Sequence, residues 1–405
     1  MIRFLGMLTA LSLDQVTTMK RLLLILGLTL FNIHAIANTP SLATQLQTYA
    51  NTIHASQIVV GIDTPNQNPL IFTNQNASLA KPYYAIGSIT KTFTASLITQ
   101  LVQRNQLSLN TPVGQFFPQY PNWQKVTVQM LLNQTSGLPD YIDTPNFFVT
   151  QAEHPNHLYS ATELLNLAYA LNPTFAPGKG WAYSNTNYVL LGLIAQNVTG
   201  KSLATLYQAQ ILNPTQLTQT LYATSYYPKN FQTQLMPGFF DTYPATPTHM
   251  TWLQGAGGMV STTQDLLHWG QAIYQQQAFG YFAKAQQNRV SLSNGQPTKD
   301  LSLPTYGWGI FSINTPYGMM WYTPGLVSGY RSVLAYLPCQ GILITTVVNQ
   351  GDSKMSSSTD LIRLTLKNIT QDPKLMSAIH TYQTQQTLPA YCSLPKAKQL
   401  RFPLF

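Results

Sequence analysis

Ser88-Ile89-Thr90-Lys91 constrains this 405-residue chain more than any other stretch. It sits in the run Tyr83-Tyr84-Ala85-Ile86-Gly87-Ser88-Ile89-Thr90-Lys91-Thr92-Phe93. A short apolar, aromatic segment arrives at Gly87, and Phe93, Leu97, Leu101 and Val102 then recur at helical spacing. That spacing predicts a buried helix with Ser88 at its mouth. Lys91 lies one turn further on, so its amine and the serine hydroxyl share a face. A lysine buried beside the positive end of a helix is pushed toward its neutral form. A neutral amine can take the proton of a serine hydroxyl. The backbone N–H of Ser88 points the same way and can help hold an oxyanion. The bland alternative is an N-cap serine with a solvated lysine.

Two other S-x-x-K strings occur, Ser78 to Lys81 and Ser393 to Lys396. Pro82 follows the first and Pro395 sits inside the third, so neither is expected to open a helix.

The remainder of the composition is that of a folded, exported protein. Hydrophobic residues make up 44% and charged residues only 8%, with polar surface supplied by Asn, Gln, Thr and Ser. Glu153 and Glu163 are the only glutamates. Met19-Lys20-Arg21, the apolar run Leu22 to Phe31 and Ala35-Ile36-Ala37 read as a secretory leader. Residues 1–37 are therefore assigned to a signal peptide, with Met19 as a candidate start, and an uncleaved anchor is the alternative. The run is short for a bilayer span, so no stable span is expected once the leader is removed. Removing it takes away Arg3, Lys20, Arg21 and Asp14, and the mature chain stays basic, but its basic residues are scattered. No basic–aromatic stripe suggests nucleic acid. The location expected is periplasmic or secreted. In an oxidising compartment Cys339 and Cys392 can pair; the alternative is two buried free thiols.

Patterning along the chain predicts an α+β architecture. A helix is expected over 40–53 and strands over 58–62 and 69–72. Four strand-like runs, 306–313, 318–322, 333–337 and 342–348, read as an antiparallel meander, followed by a helix over 356–368. The N-terminal strands must join that meander, giving a sheet of about five strands flanked by helices (45–80 and 305–370). Residues from about 105 to 300 make a mostly helical second lobe. The hydrolase-like domain is taken as 38–375 and residues 376–405 as a C-terminal tail.

Phe175-Ala176-Pro177-Gly178-Lys179-Gly180-Trp181-Ala182-Tyr183-Ser184-Asn185 is the second informative stretch. Its Pro-Gly turn delivers Tyr183 and Asn185 just before an apolar helix, and residues two apart in an extended loop point the same way. A phenol to move protons and an amide to bind a substrate amide can thus face one pocket; Asn185 as a plain N-cap is the alternative.

A serine–lysine helix, a Tyr-x-Asn loop and a C-terminal meander with a glycine-rich edge together resemble the serine β-lactamase and penicillin-binding protein superfamily. The likeness is to its class C β-lactamase-like, D-alanyl-D-alanine carboxypeptidase-like and esterase branch. It runs from about residue 45 to 370. Leu131-Leu132-Asn133-Gln134-Thr135-Ser136-Gly137-Leu138-Pro139-Asp140 and Gly255-Ala256-Gly257-Gly258-Met259-Val260-Ser261-Thr262 add to it. Class A enzymes fit poorly, because they need a glutamate after the second motif and here both glutamates precede Tyr183.

The resemblance implies an acyl-enzyme hydrolase. In it Ser88 is the nucleophile, Lys91 its base and Tyr183 the proton carrier for leaving group and water. Asn185 positions the substrate, and the Ser88 and Leu326 amides form the oxyanion hole. The third family motif falls on Trp321-Tyr322-Thr323-Pro324-Gly325-Leu326-Val327-Ser328-Gly329-Tyr330, threaded by Gly325 and Gly329. Thr323 and Gly325 are then substrate-binding positions, but Thr323 stands where relatives carry the cation that grips a substrate carboxylate. Arg331 is a candidate substitute, with a solvated arginine as the alternative. No metal or cofactor is implied, and His154 and His157 read as surface residues rather than a zinc site. The expected substrate is a D-amino-acid peptide, including cell-wall peptide, or a β-lactam, with an ester as the alternative. The rival from another class is a catalytically silent wall-peptide or protein binder. Oligomeric state is left open.

Overall fold

The computed structural model describes residues 41–75, 82–300, 302–351, 356–393 and 396. The leader and the Ser78–Lys81 string lie outside the described residues. The chain divides into residues 1–45 and residues 46–405. Of the first unit only residues 41–45 are described, at the start of helix α1 (Leu42–Thr52). All that follows concerns the second unit.

Apolar runs from both ends of the chain meet in one sheet. Strands β1 (Ile58–Asp63) and β2 (Leu70–Thr73) come first. A small separate sheet uses β3 (Tyr83–Ala85) and β4 (Leu221–Tyr222), and a hairpin is made by β5 (Phe239–Phe240) and β6 (Tyr243–Pro244). Strand β7 (Met259–Thr262) completes the small sheet in the order β3-β7-β4. The C-terminal strands are β8 (Val290–Ser291), β9 (Thr305–Gly307), β10 (Ile310–Thr315), β11 (Gly318–Val327), β12 (Tyr330–Leu337) and β13 (Ile342–Val348). The large sheet runs β2-β1-β13-β12-β11-β10-β9-β8. β1 lies antiparallel to β13 with Ile58 opposite Val348, so the N-terminal strands do join the meander.

The α+β class expected from sequence holds, but the sheet has eight strands, not about five. The run read as one strand over 306–313 is two strands. Trp308 and Gly309 take positive φ (53° and 95°) and fold β9 back against β10. β8 is only two residues long, too short to carry an alternating pattern.

Helix α2 (Thr90–Gln103) runs through the centre with Thr90 to Leu101 all buried. Its polar residues tolerate this because their hydroxyls bond within the helix: Ser96 Oγ to Thr92 O and Thr99 Oγ1 to Ala95 O, both 2.8 Å. Helix α3 (Asn185–Thr199) and the short α4 (Gln254–Gly257) pack against it. Helix α5 (Thr263–Gly270) joins α2 to the sheet: Trp269 stacks on Phe93 at 4.1 Å and donates Nε1–H to Thr92 Oγ1 at 2.8 Å. On the other face α6 (Ser356–Gln371) covers β12 and β13, which explains why those strands are buried on both sides.

Where a tail was expected after residue 375, the chain forms a further helix, α7 (Pro373–Gln385). Asp372 accepts from the Lys374 and Leu375 amides and Pro373 opens the first turn, a start signal legible in the sequence. Tyr382 and Gln383 then reach Pro338 O and Cys339 O (3.3 and 3.0 Å). Cys392 is disulfide-bonded to Cys339, 53 residues away, fastening the C-terminal segment to the β12–β13 turn. Opening a loop of this size should lower unfolding stability by about 2–4 kcal/mol. Cys392→Ser is therefore expected to move the urea midpoint down, and an unmoved midpoint would show that the clip adds nothing.

Candidate active site

Ser88 occupies a 3-10 turn, Gly87–Ile89, that carries the chain from β3 into α2. The turn is held in place from outside. Ile86 N–H donates to Met259 O on β7 at 3.0 Å, and Thr90 Oγ1 accepts from Met259 N at 3.2 Å. Gly87 has φ +49°, and a Cβ there would stand 2.9 Å from Leu326 O and 3.0 Å from Leu326 N. A Cβ at Gly325 would fall on the Ile86 carbonyl oxygen. Both glycines are needed for the β11 backbone to lie against the serine turn.

Lys91 is 1% exposed. Its Nζ lies 3.0 Å from Ser88 Oγ, 2.7 Å from Asn185 Oδ1 and 2.8 Å from Ala256 O. The Tyr183 and Tyr188 rings flank it at 4.7 and 5.5 Å. Burial drives its pKa well down from the ordinary lysine value, and the Asp140 charge partly restores it. Asn185 Oδ1 and Ala256 O can only accept, so they take two N–H bonds in either protonation state. In the neutral amine the remaining lone pair faces Ser88. The donors agree: Tyr183 O–H donates to Ser88 Oγ at 2.6 Å, leaving the serine proton to point at Lys91. Burial first, then the neighbouring Tyr306 phenol, holds Tyr183 well above the ordinary tyrosine value, so it stands as a neutral donor.

The loop bearing Tyr183 and Asn185 is anchored on the segment 134–140. Gly178 N, Ala182 N and Ser184 N donate to Thr135 O, Gln134 O and Gln134 Oε1 (2.8, 3.1 and 3.0 Å). Gln134 Oε1 also accepts from Asn187 Nδ2, and Ser136 Oγ donates to Asn187 Oδ1 at 2.6 Å. Asn185 opens α3, and its side chain is turned inward. Its Oδ1 serves Lys91 and Nδ2 donates to Asp140 Oδ2 at 2.8 Å, leaving one N–H for anything else. Asp140 is the site residue that sequence reasoning passed over. It closes the stretch Leu131–Asp140, but no local spacing ties it to Asn185, 45 residues on.

β10 pairs with β11 only as far as Tyr322, so among the described residues the 323–327 part of β11 has β12 on one side and no strand on the other. Thr323 is 2% exposed and donates its hydroxyl to Gly309 O at 2.8 Å. Arg331, offered as a substitute cation, is neither solvated nor on this face. Gly325 pairs with Ser332, whose hydroxyl donates to Ile86 O at 3.3 Å. Leu326 pairs with Arg331, so both point to the opposite face. There Arg331 is buried, and its charge acts on Tyr49 of α1. The Leu326 side chain is exposed. Away from the site, His157 meets Glu163 at the surface (2.7 Å) and Ser393 Oγ donates to Ala390 O.

The Beta-lactamase family model matches residues 80–367. The chain belongs to the Beta-lactamase family. Penicillin-binding protein 4* of Bacillus subtilis is 31% identical over 248 residues, 58% of this chain. The chain spans about half of that relative's length (53%). A D-stereospecific amidohydrolase from Streptomyces sp. has a similar fold, with TM-score 0.66 and 24% identity over 77% of this chain and 95% of that one. The D-amino acid amidase of Ochrobactrum anthropi SV3 does too, with TM-score 0.68 and 19% identity over 82% and 98%. In this Beta-lactamase family member Gly87→Ala should cost about 1–2 kcal/mol, because the residue must enter the left-handed region against the Leu326 backbone. Chemical denaturation would read this as a lower midpoint; an unchanged midpoint would mean that the turn relaxes freely.

Proposed function

We propose that this protein is an exported serine hydrolase that forms an acyl-enzyme on Ser88 and acts on amide or ester bonds whose leaving group bears no carboxylate. The contact pattern around one lysine carries the reading: Lys91, stripped of solvent, has two obligate acceptors and turns its third position to the Ser88 hydroxyl. Ser88 Oγ attacks the carbonyl carbon while its proton passes to Lys91. The carbonyl electrons move onto oxygen, held by the backbone N–H groups of Ser88 and Leu326. Tyr183 gives its proton to the departing nitrogen or oxygen as the tetrahedral species collapses. It then takes a proton from water, which attacks the ester, and Lys91 returns its proton to Ser88. No step calls on a metal or cofactor. The second N–H of Asn185 is the group it can offer a substrate carbonyl.

The substrate class rests on charge. Among the described residues Lys91 and Arg331 are the buried lysine and arginine, one committed to Ser88 and the other on the far face of the sheet. Thr323 spends its hydroxyl on Gly309. A carboxylate next to the scissile bond therefore meets no cation at the position where relatives supply one. Amides of D-amino acids, as the name of the Ochrobactrum anthropi neighbour indicates for that protein, and simple esters fit this site better than D-Ala-D-Ala ends or penicillins. Esters of the same acyl groups are the second reading, favoured by the same missing cation. The Cys339–Cys392 bond supports export, because such bonds persist in oxidising compartments.

A fluorophosphonate should label Ser88 and no other serine, and Ser88→Ala should abolish both label and turnover. Label that survives this substitution would overturn the assignment. Thr323→Lys should raise kcat/KM for substrates with a carboxylate beside the scissile bond roughly tenfold or more, the scale of one charge-assisted contact, and leave neutral esters nearly unchanged. A wild-type enzyme that already prefers the carboxylate substrates strongly would contradict the charge argument.

A further inference from the structure

We propose that Asp140, acting through the side-chain amide of Asn185, orients Lys91 and stabilises the ammonium that forms when Lys91 takes the Ser88 proton. This rests on Lys91 being the base that activates Ser88. Asp140 is 6% exposed, and its Oδ2 accepts from both Asn185 N (2.9 Å) and Asn185 Nδ2 (2.8 Å). A carboxylate oxygen can only accept, so Nδ2 of the amide must face it and Oδ1 must face the other way, onto Lys91 at 2.7 Å. With the amide reversed, its N–H donors would confront the N–H donors of the lysine and its oxygen would face the carboxylate oxygen, so both contacts would be lost. The carboxylate thus decides which end of Asn185 meets Lys91, over a path Ser88–Lys91–Asn185–Asp140. A serine–histidine–aspartate triad divides its labour in the same way, with the acid orienting the base and compensating the cation formed on it. Here the acid is one residue further away and a neutral amide carries its influence.

Buried charge makes the arrangement matter for the reaction. When the Ser88 proton moves to Lys91, a cation appears among phenols, an amide, a carbonyl and Ser88 itself. Tyr183 and Tyr188 face Lys91 as rings, and burial keeps both phenols protonated. Asp140 supplies the opposite charge. Around Asp140 itself stand Lys91, Asp143 on the following turn and the buried Tyr141 phenol. Burial is the largest influence on Asp140 and raises its pKa, while the Asn185 amide and Lys91 favour the carboxylate. Its other oxygen, Oδ1, accepts from Ile142 N at 3.4 Å as a cap of the 3-10 turn Tyr141–Asp143. That cap is the purely structural role against which the proposal is tested.

The test uses the full chain, a neutral nitrophenyl ester and kcat/KM followed across pH, after fluorophosphonate labelling of wild-type Ser88 has been confirmed. Lys91 must be neutral to act, so it sets the acidic limb of the profile. Asp140 holds the lysine pKa up, so Asp140→Asn should move that limb down by about one pH unit while lowering the plateau tenfold or more. Asp140→Glu, which keeps the charge, should leave the limb in place. A capping role alone predicts a lower melting temperature and a reduced plateau with the limb unmoved, and that result would overturn the proposal. If Asp140→Asn does not fold, Asn185→Ala takes its place. It removes an acceptor of the ammonium and should also shift the limb down, and an unmoved limb again overturns the proposal. Absence of label on wild-type Ser88 would instead refute the acyl-enzyme reading itself.

Discussion

One buried amine organises the centre of this protein. Lys91 is enclosed on every side, and an ammonium placed there would cost several kcal/mol without partners. Its three contacts come from three distant parts of the chain: Ser88 on the turn before its own helix, Asn185 at the start of α3 and the carbonyl of Ala256 on α4. Satisfying one side chain therefore fixes where two helices begin and where the glycine-rich segment 255–258 passes. Thr94 Oγ1 repeats the bond to that segment one turn later, reaching Gly255 O at 2.6 Å. The polar contacts that position the site are also contacts that hold α2, α3 and α4 together.

The same economy shows in the charges. With 8% charged residues and two glutamates, the chain nevertheless buries Asp140 beside Lys91. Asp63 and Asp265 are buried too, but each accepts from neutral donors, Gln271 and Gln275 in one case and Gln219 and Thr220 in the other. Asp140 differs because its bonds lead to a lysine. A buried acid that binds an amide already engaged by a buried base is a unit whose protonation is shared, and charge on one member is felt by the other.

What the sequence made legible, and what it hid, follows from the range of each interaction. Ser88 and Lys91 are three apart, and Tyr183 and Asn185 two apart, so helix and loop geometry predict that each pair shares a face, and both pairs turn to one point. Asp140 and Asn185 meet across 45 residues through two irregular loops, which no periodicity reports. The meander was read as strands because β-branched and aromatic runs are long there. The split at Trp308 and Gly309 was missed because only the backbone angles reveal it. Arg331 was misjudged for a different reason. Pairing of Val327 with Tyr330 across a two-residue turn sets Leu326 opposite Arg331 and Gly325 opposite Ser332. Once that register is known, the parity of residues along a strand puts Arg331 on the far face, however short its distance in sequence from Gly325.

That parity has a consequence for recognition. A cation able to grip a carboxylate at this edge must share a face with Thr323 and Gly325, and on β12 those positions are Ser332 and Leu334. Neither is charged. The Thr323–Gly325 face of this edge thus offers a substrate backbone hydrogen-bonding groups but no counter-ion from these positions. A neutral ester or amide loses little by leaving water for such a site, whereas a carboxylate forfeits hydration that nothing replaces. Ser88, Lys91 and Tyr183 stand within hydrogen-bond reach of one another, while neither residue of β12 facing Thr323 and Gly325 carries a charge, and under the proposed reaction that combination favours uncharged leaving groups.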